Sequence, residues 1–385
     1  MANTLGFYNP PLFANELLIW LQKALGMSSR IHMGFDAERR TFNQGDVINI
    51  RRPGTFTATD APSNGSGGTI QDVTPDSVQI QLTKHKEVRI AVDDKQLAYT
   101  GNALIDTHIA PTAYALADII DQDLCGLYAD IPWFIDTAGT IADFTNAWQR
   151  LFDNLAPSGD WHMMLNGALT NTYLQQQAFS QWQGAGPTGV DTQLRGSLGT
   201  KFGFETFSNQ NVKTQTTTAI GSITQAQVNA NVAKGATSLV IKDSDGVLAG
   251  TLAKGDTFVI AGNTQRYALT ANATAAANLI TVTITPPLAQ AHVTNDNITI
   301  RQATAKAENL AFHRGAFALA MAKLPDYAGA GGIGAQFSSI QDPVTGLSLR
   351  YRIGYDNNFS RVIPVVDVLY GVQTLNPNLA VRLNS

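Results

Sequence analysis

At 385 residues the chain is long enough for two or three domains and a sizeable core. Its charged share of 15% is well below the usual quarter, and a net charge of −4 excludes a protein that grips nucleic acid through a basic face. A single cysteine, Cys125, excludes an internal disulfide and a thiolate metal cage. Uncharged Thr, Asn, Gln, Ala and Gly fill the place of the missing charges. That composition suits surfaces that lie against other protein surfaces, where charge is costly to desolvate. The start, Met1-Ala2-Asn3-Thr4-Leu5-Gly6, lacks a basic segment followed by an apolar run. No apolar stretch approaches the roughly 18 residues of a membrane span, so cytosolic synthesis without membrane targeting is expected.

Residues 11 to 26 have helical spacing, with Leu12, Phe13, Leu17, Trp20, Leu21 and Leu25 on one stripe and Gly26 as the stop. The stripe fits an arm that docks on a partner, or a helix that packs on its own core. Residues 41 to 92 predict a long two-stranded ribbon. Its first limb is Gly45-Asp46-Val47-Ile48-Asn49-Ile50-Arg51-Arg52-Pro53-Gly54-Thr55-Phe56. The second, Val78-Gln79-Ile80-Gln81-Leu82 followed by Val88-Arg89-Ile90-Ala91-Val92, alternates apolar with polar residues. The tip, Asp60-Ala61-Pro62-Ser63-Asn64-Gly65-Ser66-Gly67-Gly68, buries little and carries a high ordering entropy. A ribbon of two strands is marginal alone and offers its edges to a neighbour. Arg51, Arg52, Phe56, Asp60, Asn64, Ile70, Val78 and Ile80 are therefore candidate contacts with a second subunit, and loss of the tip should leave a folded chain that assembles poorly. The compact basic runs, Glu38-Arg39-Arg40 and Arg51-Arg52, read as surface groups or ion-pair partners.

A long helix follows from about 103 to 130, with Ile105, Ile109, Leu116, Ile120, Leu124 and Leu127 at helical spacing and Pro111 in an early turn. Asp118, Asp121, Asp123 and Asp130 read as its solvated face. Between 141 and 215 helix and strand alternate: a helix over 144 to 155, a strand at Trp161-His162-Met163-Met164-Leu165-Asn166, a helix over 168 to 182, a break at 183 to 189, and a strand from Lys201 to Phe207. From 221 to 303 short strands recur between turns, at 238–242, 257–260, 279–284 and 297–300. This predicts an inserted all-β barrel whose core includes Val240, Phe258, Ile260, Val282 and Ile284. Asp243-Ser244-Asp245-Gly246 lacks the ligands of a calcium loop and predicts a tight turn. The Ala-rich run from Thr304 to Lys323 predicts a helix ending at Leu324-Pro325, and two extended segments, 347–354 and 362–372, follow. No fixed internal repeat is present.

Catalytic patterns are missing from the sequence. There is no Gly-Lys pair for a phosphate loop, no His-Glu pair for a zinc helix and no serine nucleophile elbow. The six histidines are scattered. Gly329-Ala330-Gly331-Gly332-Ile333-Gly334 has the dinucleotide glycine spacing but does not follow a strand, and reads as a loop. Asp143, Asp153 and Asp160 are isolated carboxylates that only folding could bring together as an acid/base pair.

The stretch Asn309-Leu310-Ala311-Phe312-His313-Arg314-Gly315-Ala316-Phe317-Ala318-Leu319-Ala320 resembles the coat-protein family of short-tailed double-stranded DNA phages. Three further stretches fall in the same order as in that family. They are Gly45 to Pro53, Lys254-Gly255-Asp256-Thr257-Phe258-Val259-Ile260-Ala261-Gly262, and Asp367-Val368-Leu369-Tyr370-Gly371-Val372. The resemblance implies an α+β, Hong Kong 97-like major capsid fold. Its expected parts are an N-terminal arm (1–40, with Phe13, Leu17, Trp20 and Leu21), an extended loop (41–92), a peripheral domain with a spine helix (93–140 and 340–385), an axial domain (141–220 and 304–339) and an inserted barrel (221–303). It also implies a structural subunit without enzymatic activity or cofactor, tiling an icosahedral shell in the virion after assembly in the host cytoplasm. The expected partners are copies of itself, a scaffolding protein, a portal, and packaged DNA enclosed without sequence-specific binding. The span from Asp60 to Ser77 has no lysine, which leaves no candidate for the covalent crosslinks of some relatives. A fibre or decoration protein, and a polysaccharide hydrolase, are the alternatives from other classes.

Overall fold

The computed structural model of the chain describes residues 14–19, 21, 26–33, 47–52, 58, 76–95, 103–181, 192–216, 219–221, 223–301, 305–325, 335–341 and 347–385. The chain divides into two compact units. The first comprises residues 1–20, 33–116 and 319–373, and the second residues 21–32, 117–318 and 374–385.

In the first unit, β1 (Val47–Arg52) and β2 (Asp76–Gln81) form a two-stranded antiparallel ribbon in which Ile48 lies opposite Ile80. The expected second limb is only half right. After β2 the chain turns away, and β3 (Lys84–Arg89) and β4 (Val92–Asp93) pair with β22 (Arg361–Thr374) instead of β1. β22 is long enough to serve several neighbours at once. On its far side lies β21 (Ser348–Asp356), and β21 is followed by β20 (Ala335–Gln341). Leu349, Tyr351, Val365, Val366, Val368 and Tyr370 are buried in this sheet. The helix near the N-terminus covers residues 14–19, where Ala14, Leu17 and Leu18 are buried; Leu21, in the second unit, is buried as well. Of the expected stripe, Leu17 and Leu21 are thus buried, and Leu12 and Leu25 lie outside the described residues.

The helix expected at 103–130 is α1 (Ala103–Cys125), with Pro111 inside it, and a 3-10 turn over Gly126–Asp130. Its acidic side is not uniformly solvated. Asp121 is buried, accepting from the Met27 N–H at 2.7 Å and from the Asn209 amide at 2.5 Å. These donors, with the Asn211 amide at 3.3 Å, replace the water that the carboxylate gives up.

A six-stranded sheet organises the second unit: β5 (Phe134–Asp136), β23 (Ala380–Asn384), β18 (Glu308–His313), β6 (Trp161–Leu165), β8 (Phe204–Ser208) and β7 (Thr200–Lys201), in that spatial order. β7 and β8 form a hairpin whose turn, Phe202 and Gly203, has both residues at positive φ, as a two-residue turn of matching twist requires. Helix α2 (Ile141–Asp153) packs Phe144, Ala147 and Leu151 against Trp161, Phe204 and Val381. The expected helix at 168–182 is two short helices, α3 (Gly167–Leu174) and α4 (Gln177–Ser180). Asn166 caps the first, accepting from the Leu169 N–H at 2.8 Å.

The helix expected over 304–323 is absent. Those residues form β18 and β19 (Phe317–Ala322), joined by a 3-10 turn at Arg314–Ala316, and β19 lies beside β22. Nearly every residue of the two strands is buried. A run enclosed on both faces has no alternation to distinguish strand from helix, and alanine propensity then misleads. The expected domain boundaries shift accordingly. Residues 319–339 belong to the first unit rather than to the axial segment. Residues 374–385 belong to the second, because β23 inserts between β5 and β18.

Within the second unit six strands close a barrel in the order β10 (Ala226–Val228), β11 (Ser238–Asp243), β16 (Leu279–Thr285), β14 (Arg266–Leu269), β13 (Thr257–Ile260) and β17 (Asn297–Arg301). A small sheet of β15 (Ala273–Thr274), β12 (Gly250–Leu252) and β9 (Ala219–Ile220) flanks it. Phe258, Ile260, Val282 and Ile284 lie in the barrel core with Tyr267. Val240 does not. It sits half-buried on the outer face opposite Thr281, and its neighbours Leu239 and Ile241 point inward. The alternation of a strand makes a one-residue error in phase a change of face. Asp243 ends β11 by accepting from the backbone N–H groups of Thr224 and Gln225, each at 2.8 Å, and of Ser244 at 2.6 Å, which makes it a turn anchor.

Candidate assembly surfaces

The ribbon is seated on its own unit at the base. Ile48 and Ile80 are buried, and Gly371 of β22 approaches the ribbon so closely that a Cβ there would overlap the Gln81 carbonyl and touch Ile80. Ile80 is therefore an anchor enclosed by its own unit, and not a contact surface as its alternation suggested. Val78 is half-buried, while Asn49, Ser77 and Gln79 are exposed. Arg51 and Arg52 lie in β1 opposite Ser77 and Asp76. Phe56, Asp60, Asn64 and Ile70, and Phe13 and Trp20 of the arm, lie outside the described residues, as does the glycine loop at 329–334.

Behind the ribbon's seat the first unit carries a charged ladder across three strands. Asp367 of β22 is fully buried and takes two hydrogen bonds from Arg350 of β21. His85 of β3 lies 3.3 Å away, and Glu87, paired with Arg352 at 2.7 Å, completes the row. Hydrogen bonds to Arg89 and then attraction to Arg89 and Arg352 hold the Glu87 carboxyl below its ordinary range.

In the second unit the barrel is fastened to the sheet by its arginines. The Phe134 ring of β5 carries the guanidinium of Arg301, 3.6 Å from its centroid, and that of Arg266, at 4.7 Å. Arg301 also donates to Asp136 at 2.5 Å. With the Asn384 amide turned to accept from Arg301 at 2.8 and 2.9 Å, it donates to the buried Glu308 at 2.6 Å. Burial pushes the Glu308 carboxyl up, against the opposing pull of Arg382. Gln265 and Trp133 both donate to Asn378, at 3.2 and 3.0 Å, a second tie between barrel and sheet. No signal in the sequence marked these links, which join residues far apart in the chain.

The isolated carboxylates do not form a catalytic pair. Asp143 is buried and accepts from the backbone N–H groups of Ala138 and Thr140 and from the Tyr173 hydroxyl, each at 3.0 Å, so its lone pairs fix the start of α2. Asp153 and Asp160 are exposed. Burial raises the Cys125 thiol far above its ordinary range, with Asp121 adding to the effect. An inert thiol results. Among the described residues no group of three His, Cys, Asp or Glu side chains is placed to hold a metal ion, and no helix is long and apolar enough to cross a membrane.

No protein-family model and no curated protein matches the sequence. Solved structures do match its fold. A chain of Mycobacterium phage Che8 aligns with a TM-score of 0.51 at 12% identity, over 93% of this chain and 90% of that one. A chain in the capsid structure of the Cyanophage P-SCSP1u aligns at 0.50 and 12%, over 89% and 84%. The mixed α+β fold described above is thus shared with these phage chains along nearly its whole length.

Proposed function

We propose that the chain is the major capsid subunit of a phage, a structural protein whose copies tile a closed shell in the virion. The single observation that carries this reading is the fold likeness to a chain of the cyanophage capsid, which spans both chains almost end to end. The low charged share agrees with it, because a subunit surrounded by copies of itself hides most of its surface. So does the placement of Asp143, whose carboxylate serves helix capping instead of chemistry.

In this reading the arrangement is Hong Kong 97-like. Residues 41 to 82 form the extended loop, α1 the spine helix, the sheet around β22 the peripheral domain, the sheet around β18 the axial domain, and β10 to β17 the inserted barrel. The base of the extended loop is seated on its own unit, and its exposed residues Asn49, Ser77 and Gln79 are offered to a neighbour. Assembly proceeds around a scaffolding protein and a portal, and the finished shell encloses double-stranded DNA without reading its sequence. Many modest contacts, each repeated by symmetry, hold the shell.

Expression of the full chain together with the adjacent genes of its phage, followed by negative-stain microscopy and sedimentation, tests the proposal. Closed shells of uniform diameter are expected. Discrete monomers or trimers under the same conditions would favour a fibre or decoration protein, and turnover of a polysaccharide would favour a hydrolase.

A further inference from the structure

Helix α2 has an apolar face wider than the core of its unit covers. Phe144, Ala147 and Leu151 point into the core. Flanking this face, Trp148 lies edge-on to Trp161 and stacks on Phe152 with ring centroids 5.3 Å apart, and these two residues are 44% and 60% exposed. Leu155, 87% exposed, continues the stripe past the end of the helix, and Ile141 begins it one heptad before Trp148. The stripe is nearly free of charge. Arg150 is turned aside to lie over Trp133, and Asp153 is the exposed charge nearby.

Leu155 supplies an independent clue. The helix ends in a Schellman motif, with the Ala156 N–H donating to the Leu151 carbonyl at 3.0 Å and the Leu155 N–H to the Phe152 carbonyl at 2.9 Å. The position just past the cap is left-handed, φ +57°, where glycine is the usual residue. A leucine there is both strained and uncovered, so its side chain gains nothing inside its own unit. Strain and exposure together at one residue indicate a use elsewhere.

We infer that the stripe formed by Ile141, Trp148, Phe152 and Leu155 docks on a second copy of this chain. The inference rests on the shell reading given above. With aromatic side chains of about 150–250 Å² each, these exposures amount to roughly 400 Å² of apolar surface. That is about half of the ~800 Å² per partner that a stable pair buries. The stripe is therefore too small to hold a discrete dimer and large enough to matter when it is repeated around a closed shell. A charge-poor copy of the same chain is the partner whose surface matches it.

The test compares the wild-type chain with Leu155→Gly and Phe152→Glu, each expressed full length with the adjacent phage genes. Leu155→Gly relieves the left-handed strain, so the melting temperature of the unassembled chain should rise by a few degrees. Its yield of closed shells should nevertheless fall about tenfold, as the loss of a contact repeated in every subunit predicts. Phe152→Glu should lower the yield at least as much. In wild-type shells the share of fluorescence lost on Trp148→Phe substitution should be quenched by acrylamide severalfold less than in the free chain. Wild-type yields from both variants, or equal quenching of Trp148 in shells and free chain, would overturn the docking assignment and leave the capsid reading intact. Absence of shells from the wild type itself would instead sink that reading.

Discussion

Asp367 and Arg350 lie directly opposite each other on adjacent strands, the guanidinium donating Nε–H to Oδ1 at 3.0 Å and Nη2–H to Oδ2 at 2.5 Å. On its other side Asp367 faces Glu87, so two acids sit across one ladder position. Like charges so placed repel, and the arginine is what makes the arrangement tolerable. Removing it leaves the buried carboxylate only the weaker partners His85, at 3.3 Å, and Arg352, at 3.7 Å. Arg350→Ala should cost about 3–5 kcal/mol, whereas Arg350→Met combined with Asp367→Leu should cost much less. Urea denaturation of the unassembled chain measures both, and equal losses would show that the pair is not coupled.

Gly371 sets how closely the ribbon approaches β22. Adding a methyl group there forces the Gln81 backbone away, and backbone cannot swing aside as a side-chain tip can. Gly371→Ala should destabilise the first unit by about 1–3 kcal/mol and raise hydrogen exchange over residues 47–52 and 76–81. Unchanged protection of both strands would mean that the ribbon is held by something else.

Protonation of three partly buried histidines should weaken the second unit as the pH falls, opposed by the raised carboxyls of Glu308 and Asp130. Burial lowers the pKa of His32, with Arg314 adding to it; it also lowers His162 and His313, against the pull of Glu205 and of Asp160. In the unfolded chain these rings titrate near 6.5, so below that value the unfolded state binds protons that the folded state refuses. The stability they contribute is thus present above pH 6.5 and is lost as the pH falls toward their depressed folded values. Denaturation midpoints at pH 7.5, 6.5 and 5.5 should decrease in that order, with His162→Gln showing a shallower decline. A flat profile across this window would contradict the assignment.

The barrel's attachment can be separated from its folding. The barrel has its own core, whereas the Phe134 ring belongs to the sheet and is held by Arg266 and Arg301. Each cation–ring contact is worth about 0.5–2 kcal/mol depending on its desolvation. Phe134→Ala should therefore speed hydrogen exchange in β5 and at the Arg301 end of β17, and leave β11 and β16 protected. Equal loss of protection through the whole barrel would show that mount and core fold as one.

What the sequence made legible followed local rules. Alternation at Val47 to Ile50 and at Leu279 to Ile284 gave strands, helical spacing at Leu116, Ile120 and Leu124 gave the long helix, and a change in composition gave the barrel. The errors arose where the decisive contact is remote. Nothing near Lys84 to Arg89 signals a partner near Val365 to Tyr370, and alternation alone continues the second limb along the ribbon. Ala318 to Ala322 are buried on both sides, which erases periodicity. Asp121 passes for a solvated acid until Asn209 and the Met27 amide come into view. For Ile80, alternation identifies a buried face but not whose surface buries it.

The position of β23 between β5 and β18 bears on how the chain is made. On a ribosome, β5, β6 and β18 emerge well before residues 380–384, and until then nothing joins the edge strand β5 to β18. The barrel strands lie in one contiguous stretch and close without waiting. The barrel can therefore close while the sheet beside it is still open, and the five-residue strand β23, arriving last, completes that sheet.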